Sequence, residues 1–289
     1  MRSLPIPKQD NMLVYRDCVN GIFNEELRSR FKSAAPDIQV AYKSYLTEAK
    51  ANLLHTIRGK KYEKNDIVLS RLTKDNLMKL YSQYFVGEQK IARKHYNDIF
   101  FSSPNQKCPY CGFGQVFTLD HYLSKASHPQ FSVLMPNLVP SCRDCNEGYK
   151  SDKAGNSESK QFLHPYFEKG YYYEQQWLFA EVKYSVPATI FFYVSCPLNW
   201  TESAKSRVRN HFKEFGLQER YAVEAAEELS TLSLRLSRRH KNDSPAQIRE
   251  ILDEALEAEQ MKHQNSWKTA MYYALVQSKW YQCEGYKLE

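Results

Sequence analysis

The chain has 289 residues, of which 42% are hydrophobic and 14% aromatic, a composition that excludes a disordered protein and allows one large domain or two. No apolar stretch approaches the length of a transmembrane helix, so a membrane-spanning helix is excluded as well. The net charge of +7 is compatible with nucleic-acid binding but does not require it.

The first hundred residues predict a helical region. Apolar residues recur at helical spacing over 20–32, where the pattern is weak, and over 38–57. Thr73 is a suitable N-cap for a further helix, because apolar residues follow it at helical spacing. Another apolar stripe over 91–99 leads towards the first cysteine pair. We expect residues 1–100 to form a helical N-terminal region.

Two CxxC pairs, Cys108/Cys111 and Cys142/Cys145, lie near the middle of the chain. Zn²⁺ prefers four tetrahedral ligands, and two CxxC turns supply four sulfurs, so we predict a closed, structural zinc site. The alternatives are two disulfides or four unrelated buried thiols. Disulfides need an oxidising compartment, and the first residues, MRSLPIPKQDN, lack the apolar core of a signal peptide. We therefore expect a cytoplasmic protein with reduced thiols.

Between the cysteine pairs, the sequence predicts two strands joined by a loop and followed by a short helix. The apolar and β-branched residues of VFTLDH indicate a strand that ends in Asp120-His121. The turn residues SKASHPQ indicate the loop, and Pro136 and Pro140 exclude a regular helix over MPNLVPSC. A short helix is then expected to begin within 142–153. This order is that of a ββα unit around a metal.

The same residues resemble the HNH endonucleases, and in particular the zinc-bearing members with two flanking CxxC pairs. The Asp-His pair of that family matches Asp120-His121, its central Asn matches Asn137, and its last metal-binding position matches Asn146. The resemblance implies a ββα-metal fold and hydrolysis of DNA phosphodiester bonds. Because this chain has Asn rather than His at the last position, we expect weaker metal binding there.

The resemblance also implies a role for each matched residue. His121 would be the general base that takes a proton from the attacking water. Asp120 and Asn146 would ligate one divalent ion, Mg²⁺ or Mn²⁺, since hard oxygen ligands suit such ions. Asn137 would orient His121 through hydrogen bonds in the surrounding loop.

Four further residues are candidates for the site. His128 is a rival for the third metal ligand, and its alternative role is that of a loop residue packed on the second strand. His164, in FLHPYF, either reaches the active site or caps a turn. Lys150 and Lys153 follow the second cysteine pair and are candidate contacts for DNA phosphates.

The last part of the chain predicts a β-hairpin and then helices. Strands are expected over 177–184 and 189–195, because apolar and polar residues partly alternate there. Thr201 and Ser244 have the side chains of helix N-caps, and a long helix is expected from about residue 219 to 239.

Together these elements predict a mainly helical α+β chain built around a small ββα-metal HNH unit, with a structural zinc and an additional β-hairpin. We divide it into a helical region over 1–100, a nuclease core with zinc over 101–160, and a hairpin followed by helices over 161–289.

A broader pattern links the segments MRSLPIPK, TLDHYLSK, NLVPSCRDCN and FLHPYF with a helical tail. This arrangement is similar to the HNH nuclease subunits that accompany ATPase partners in bacterial antiphage defence systems of the Septu type. The resemblance implies an effector nuclease that docks on an ATPase subunit through its helical flanks. Two alternatives remain open: a stand-alone HNH nuclease of the restriction or homing type, and a catalytically silent, zinc-stapled module that binds nucleic acid.

Overall fold

A computed structural model describes residues 1–150 and 157–287. The chain divides into two compact units, one of Ser3–Glu168 and the other of Met1–Arg2 with Lys169–Glu289. The described residues of the first unit combine helices with two two-stranded sheets, and those of the second combine helices with one, so the fold is α+β and mainly helical, as predicted. Among the described residues, none of the helices has the length and apolar character needed to cross a bilayer. The division into three regions stays a prediction.

Three helices open the first unit: α1 (Asn11–Asn20), α2 (Glu25–Ser33) and α3 (Ala35–Lys50). The helical pattern over 20–32 corresponds to α2, which begins only at Glu25 because the side chain of Asn24 caps its start. The predicted helix over 38–57 ends early, since Asn52 adopts a left-handed backbone with φ of 60°.

The next elements are β1 (Ile67–Leu69), β2 (Leu72–Thr73), α4 (Lys74–Lys79), a wider π-type turn (Leu80–Phe85) and α5 (Arg93–Phe100). Thr73 caps α4 as predicted: its hydroxyl accepts from the Asn76 amide, and the Asn76 side chain accepts from the Thr73 amide. The β1–β2 hairpin was not predicted, because its strands are too short to show a period.

The centre of this unit is a hairpin of β3 (Thr118–His121) and β4 (Leu138–Ser141). The strands are antiparallel, with Thr118 opposite Ser141 and His121 opposite Leu138. A π-type helical turn follows at Asp144–Lys150. The structure thus confirms a strand that ends in Asp120-His121 and a short helix after the second cysteine pair.

Buried tyrosines fix the hairpin and the segments around it. Four hydroxyls donate to backbone carbonyls: Tyr45 to Pro136, Tyr81 to Leu119, Tyr122 to Phe162 and Tyr166 to Leu138. Helix α5 packs on both strands. Because these carbonyls lie out of contact with water, each hydroxyl satisfies an acceptor that would otherwise destabilise the fold.

The second unit contains α6 (Tyr171–Glu174), β5 (Leu178–Lys183), β6 (Thr189–Val194), α7 (Glu202–Glu214), α8 (Leu217–Arg239), α9 (Pro245–Lys262), α10 (Trp267–Gln277) and α11 (Lys279–Cys283). The antiparallel pair of β5 and β6 confirms the predicted hairpin. The predicted caps are also confirmed, since Thr201 accepts from the Ala204 amide and Ser244 from the Gln247 amide.

Candidate metal centre and active site

The four cysteines of the two CxxC pairs come together in one buried cluster. Their sulfur atoms all lie within 4.8 Å of one another, and the Cys111 and Cys142 sulfurs are 3.9 Å apart. Zinc–sulfur bonds of about 2.3 Å in a tetrahedron require sulfurs about 3.8 Å apart. The cluster therefore has the composition and the size of a closed zinc site.

The backbone around the cluster donates hydrogen bonds to the sulfurs and has glycines where a side chain would not fit. The Gly114 amide donates to the Cys111 sulfur at 3.3 Å, and the Cys145 amide lies 3.5 Å from the Cys142 sulfur. Gly112 has φ of 81°, a conformation that favours glycine. A Cβ on Gly114 would lie 2.9 Å from the Cys142 sulfur, so only glycine fits there. These amides stabilise negative charge on the sulfurs.

The protonation of the cluster also favours a bound cation. A hydrogen bond with the Cys108 thiol lowers the pKa of Cys142 to about 7. Burial raises the pKa of Cys108 and of Cys145 well above the usual thiol value. Four thiolates this close repel one another, so a divalent cation is needed for all four to ionise together at neutral pH.

A cavity of about 480 Å³ lies along β3. Three of the predicted site residues, Asp120, His121 and Asn146, line it together, and Ser124 and Lys125 belong to the same wall. Asp120 and His121 are buried, whereas Asn146 is half-buried. The hairpin and the turn after it thus bring a carboxylate, an imidazole and an amide to one opening.

Asp120 already holds a cation, the ammonium of Lys150. The Lys150 Nζ lies 2.9 and 3.1 Å from the two carboxylate oxygens and 2.7 Å from the His121 carbonyl oxygen. The Tyr110 hydroxyl donates to the same carboxylate at 2.8 Å. Lys150 is only 1% exposed. The prediction that it contacts a DNA phosphate is therefore wrong for this structure, because its ammonium donates to buried oxygens of Asp120 and His121. The other predicted contact, Lys153, lies outside the described residues.

His121 is held in the form that a general base requires. Its Nε2 lies 2.9 Å from the Ser132 carbonyl oxygen, so Nε2 carries the proton of the neutral ring and Nδ1 is the basic nitrogen. The Tyr81 ring packs edge-on at 4.4 Å. Burial, with the nearby charges of Lys125 and Lys150, lowers the His121 pKa well below its usual range. The imidazole is therefore neutral at physiological pH.

Asn137 acts on His121 through the loop between the strands rather than by direct contact. It is fully buried. Its side-chain oxygen accepts from the Leu123 amide at 2.8 Å, and its nitrogen donates to the Leu123 and Phe131 carbonyls at 3.1 and 3.2 Å. These bonds fix the loop that carries Ser132, the partner of His121.

A comparison with curated proteins relates this chain to one from a bacteriophage. The chain is 34% identical to Protein ea31 of Escherichia phage lambda over 293 residues, which cover 96% of this chain and 98% of the relative. The chain belongs to the ea31 family. No protein-family profile and no solved structure matches the chain. Because the name ea31 describes no activity, function has to be argued from the site.

In this member of the ea31 family, the two other candidate histidines lie away from the cavity of Asp120. The Nε2 of His128 lies 3.1 Å from the Ile57 carbonyl oxygen, and the residue lines a different cavity. The ring of His164 is buried 4.0 Å from that of Tyr122, and its Nδ1 accepts from the Tyr166 amide at 3.2 Å, which agrees with the alternative that His164 caps a turn. Neither residue is placed as a third metal ligand.

Several residues of the site were not found from the sequence. Tyr110 lies inside the first CxxC pair, a spacing that predicts zinc but says nothing about the two residues between the ligands. Ser132 acts through its carbonyl oxygen, which no side-chain pattern reports. Tyr81 belongs to a predicted helical stripe, and its contact with His121 depends on long-range packing.

Proposed function

We propose that this chain is a metal-dependent endonuclease of the HNH type that hydrolyses DNA phosphodiester bonds. The observation that carries the proposal is the single cavity shared by Asp120, His121 and Asn146, formed by a two-stranded hairpin and the helical turn that follows it. A buried four-cysteine cluster borders the same hairpin. Together these two features support a ββα-metal unit that is stabilised by a structural zinc.

In this mechanism, the side chains of Asp120 and Asn146 would hold one Mg²⁺ or Mn²⁺ ion. Both offer oxygen, the ligand atom that these hard cations prefer. The ion would stabilise negative charge on the phosphate and on the leaving 3′ oxygen. The ammonium of Lys150, now 2.9 Å from Asp120, would have to yield that carboxylate.

His121 would activate the water that attacks phosphorus. The Ser132 carbonyl fixes the proton on Nε2, so Nδ1 is free to accept a proton from water. As the water oxygen bonded to phosphorus, the bond to the 3′ oxygen would break. The leaving 3′ oxygen would take a proton from solvent, and the imidazolium would return its own proton to solvent. The fixed tautomer and the lowered pKa of His121 both support this role.

The test is cleavage of plasmid DNA with Mg²⁺ or Mn²⁺, comparing the native chain with His121→Ala at equal zinc content. We expect the substitution to lower the cleavage rate roughly 10²- to 10⁴-fold, the usual contribution of a general base. His240→Ala is the matched control, because His240 pairs with Asp243 in the second unit. No metal-dependent cleavage by the native chain, with DNA binding intact, would instead favour the catalytically silent zinc module.

An ATPase partner and a role in antiphage defence rest on the resemblance alone, and both remain predictions. Co-purification with an ATPase would favour the defence complex, and cleavage by the isolated chain at full rate would favour the stand-alone nuclease.

A further inference from the structure

A second cavity, of about 400 Å³, borders the same loop that leads away from His121. Ser124 and Lys125 line the cavity of Asp120, whereas Ser127 and His128 line this second one. One short loop therefore forms part of the wall of both. A ligand long enough to pass this loop would meet both cavities.

The second cavity is strongly basic. Four cationic residues line it, and no acidic residue does so: Arg58, Lys60, Lys61 and Lys74. Lys60 and Lys61 are exposed, and within 1–150 and 157–287 neither forms an ion pair with a carboxylate. A concave surface lined by one sign of charge attracts a ligand of the opposite sign. The chemistry of the lining thus indicates an anion.

The basic segment, residues 58–61, is fixed by contacts with the loop over 124–128. The Lys60 amide donates to the Ser127 carbonyl at 3.2 Å, and His128 Nε2 lies 3.1 Å from the Ile57 carbonyl oxygen. A Cβ on Gly59 would lie 2.9 Å from atoms of both Ser127 and His128. The backbone therefore packs directly on the loop, which keeps the lysines at a constant place relative to the first cavity.

The two cavities are neighbours along one loop. Lys125, which lines the first cavity, and Ser127, which lines the second, are two positions apart, so their Cα atoms are separated by at most about 7 Å. A DNA strand carries a phosphate at every nucleotide. A strand with one phosphate in the first cavity would therefore present another of its phosphates beside the second cavity when it passes this loop.

We propose that the second cavity binds a backbone phosphate of the DNA strand, on the same strand as the phosphate that is cut and across the loop from it. Lys60 and Lys61 supply the charge. The Lys60 ammonium lies over the Tyr62 ring, 5.2 Å from its centre, and this contact helps to place the charge. The Lys74 ammonium donates to the Tyr62 carbonyl at 2.8 Å and so holds this residue at the rim. This inference rests on the proposed nuclease function, which places the cut phosphate in the first cavity.

The test is a binding experiment on the zinc-loaded chain without added Mg²⁺ or Mn²⁺, so that metal-dependent cleavage does not occur and no chelator removes the structural zinc. The affinity of the full chain for a short fluorescein-labelled DNA duplex is measured by anisotropy over a series of salt concentrations. For Lys60→Gln/Lys61→Gln, we expect roughly three- to tenfold weaker binding and a slope of log affinity against log salt that is shallower by about one to two. The control is Lys43→Gln/Lys50→Gln, which removes two exposed charges from α3 and should leave the slope unchanged.

Equal affinities and slopes for the two double variants would overturn the subsite. Because binding is measured without turnover, its result is independent of the His121→Ala cleavage assay. A shallower slope in a protein that never cleaves DNA would support the phosphate contact and reject the nuclease mechanism. Cleavage that depends on His121, with an unchanged slope, would reject the subsite alone.

Discussion

Two groups of candidate metal ligands lie beside the hairpin of β3 and β4, and they differ in ligand chemistry and in access to solvent. The four cysteines are soft, buried ligands, and together they can fill a tetrahedral shell. Asp120 and Asn146 offer hard oxygen donors and line an open cavity together with His121. A closed shell can stabilise the fold but cannot reach a substrate, whereas an open one can do so. The cysteine group is thus suited to stabilise the fold, and the group in the open cavity is suited to contact a ligand.

The largest expected effect tests the structural half of this comparison. Cys145→Ser removes one sulfur from a buried cluster whose metal would stabilise the folded state. We expect loss of the bound zinc, measured by elemental analysis, and a free energy of unfolding lower by about 4 kcal/mol or more. Cys283→Ser is the matched control, since Cys283 is an exposed thiol outside the cluster. Equal zinc content in both variants would contradict the assignment of the cluster.

A smaller effect is expected at the reactive centre, from Lys150→Met. The ammonium of Lys150 is the buried partner of Asp120, and removal of one member of such a pair costs about 3–5 kcal/mol. Because the carboxylate then lacks its cation, Mn²⁺ should restore part of this stability. We expect Mn²⁺ to raise the melting temperature of the variant more than that of the native chain. Equal shifts would indicate that the ion binds elsewhere, and Lys43→Met serves as an exposed control.

The smallest effect concerns the pH dependence of cleavage. A general base must be unprotonated, and burial lowers the pKa of His121 well below its usual range. The rate should therefore hold as the pH falls past about 6.5, the ordinary value for histidine, and decline only below it. The measurement is cleavage rate against pH at saturating metal. A rate already halved near pH 6.5 would assign the base to a solvated group instead.

The features predicted well from the sequence depend on residues that are close in the chain. A CxxC turn brings two sulfurs together by local geometry, and the helix caps at Thr73, Thr201 and Ser244 each need only the next three residues. The position of Asp120-His121 at the end of a strand is local in the same way.

The features that were missed depend on distant packing. Lys150 follows a cysteine pair and resembled a surface phosphate contact, but its burial results from Asp120, thirty positions earlier. The charges around Lys60 are visible in the sequence, yet their place beside the loop between β3 and β4 results from contacts with Ser127 and His128. Such contacts leave no periodic pattern in the sequence.

Tyr110 stands between the first two cysteines, and its hydroxyl reaches the Asp120 carboxylate. The orientation of that carboxylate therefore depends on the chemical state of the neighbouring sulfurs. An oxidant such as hydrogen peroxide, which converts thiolates to sulfenic acids or disulfides, would eject the zinc and displace Tyr110. Activity would then fall without damage to any residue of the cavity, and a reductant with zinc would restore it. The proposed nuclease would thus respond to the redox state of its surroundings.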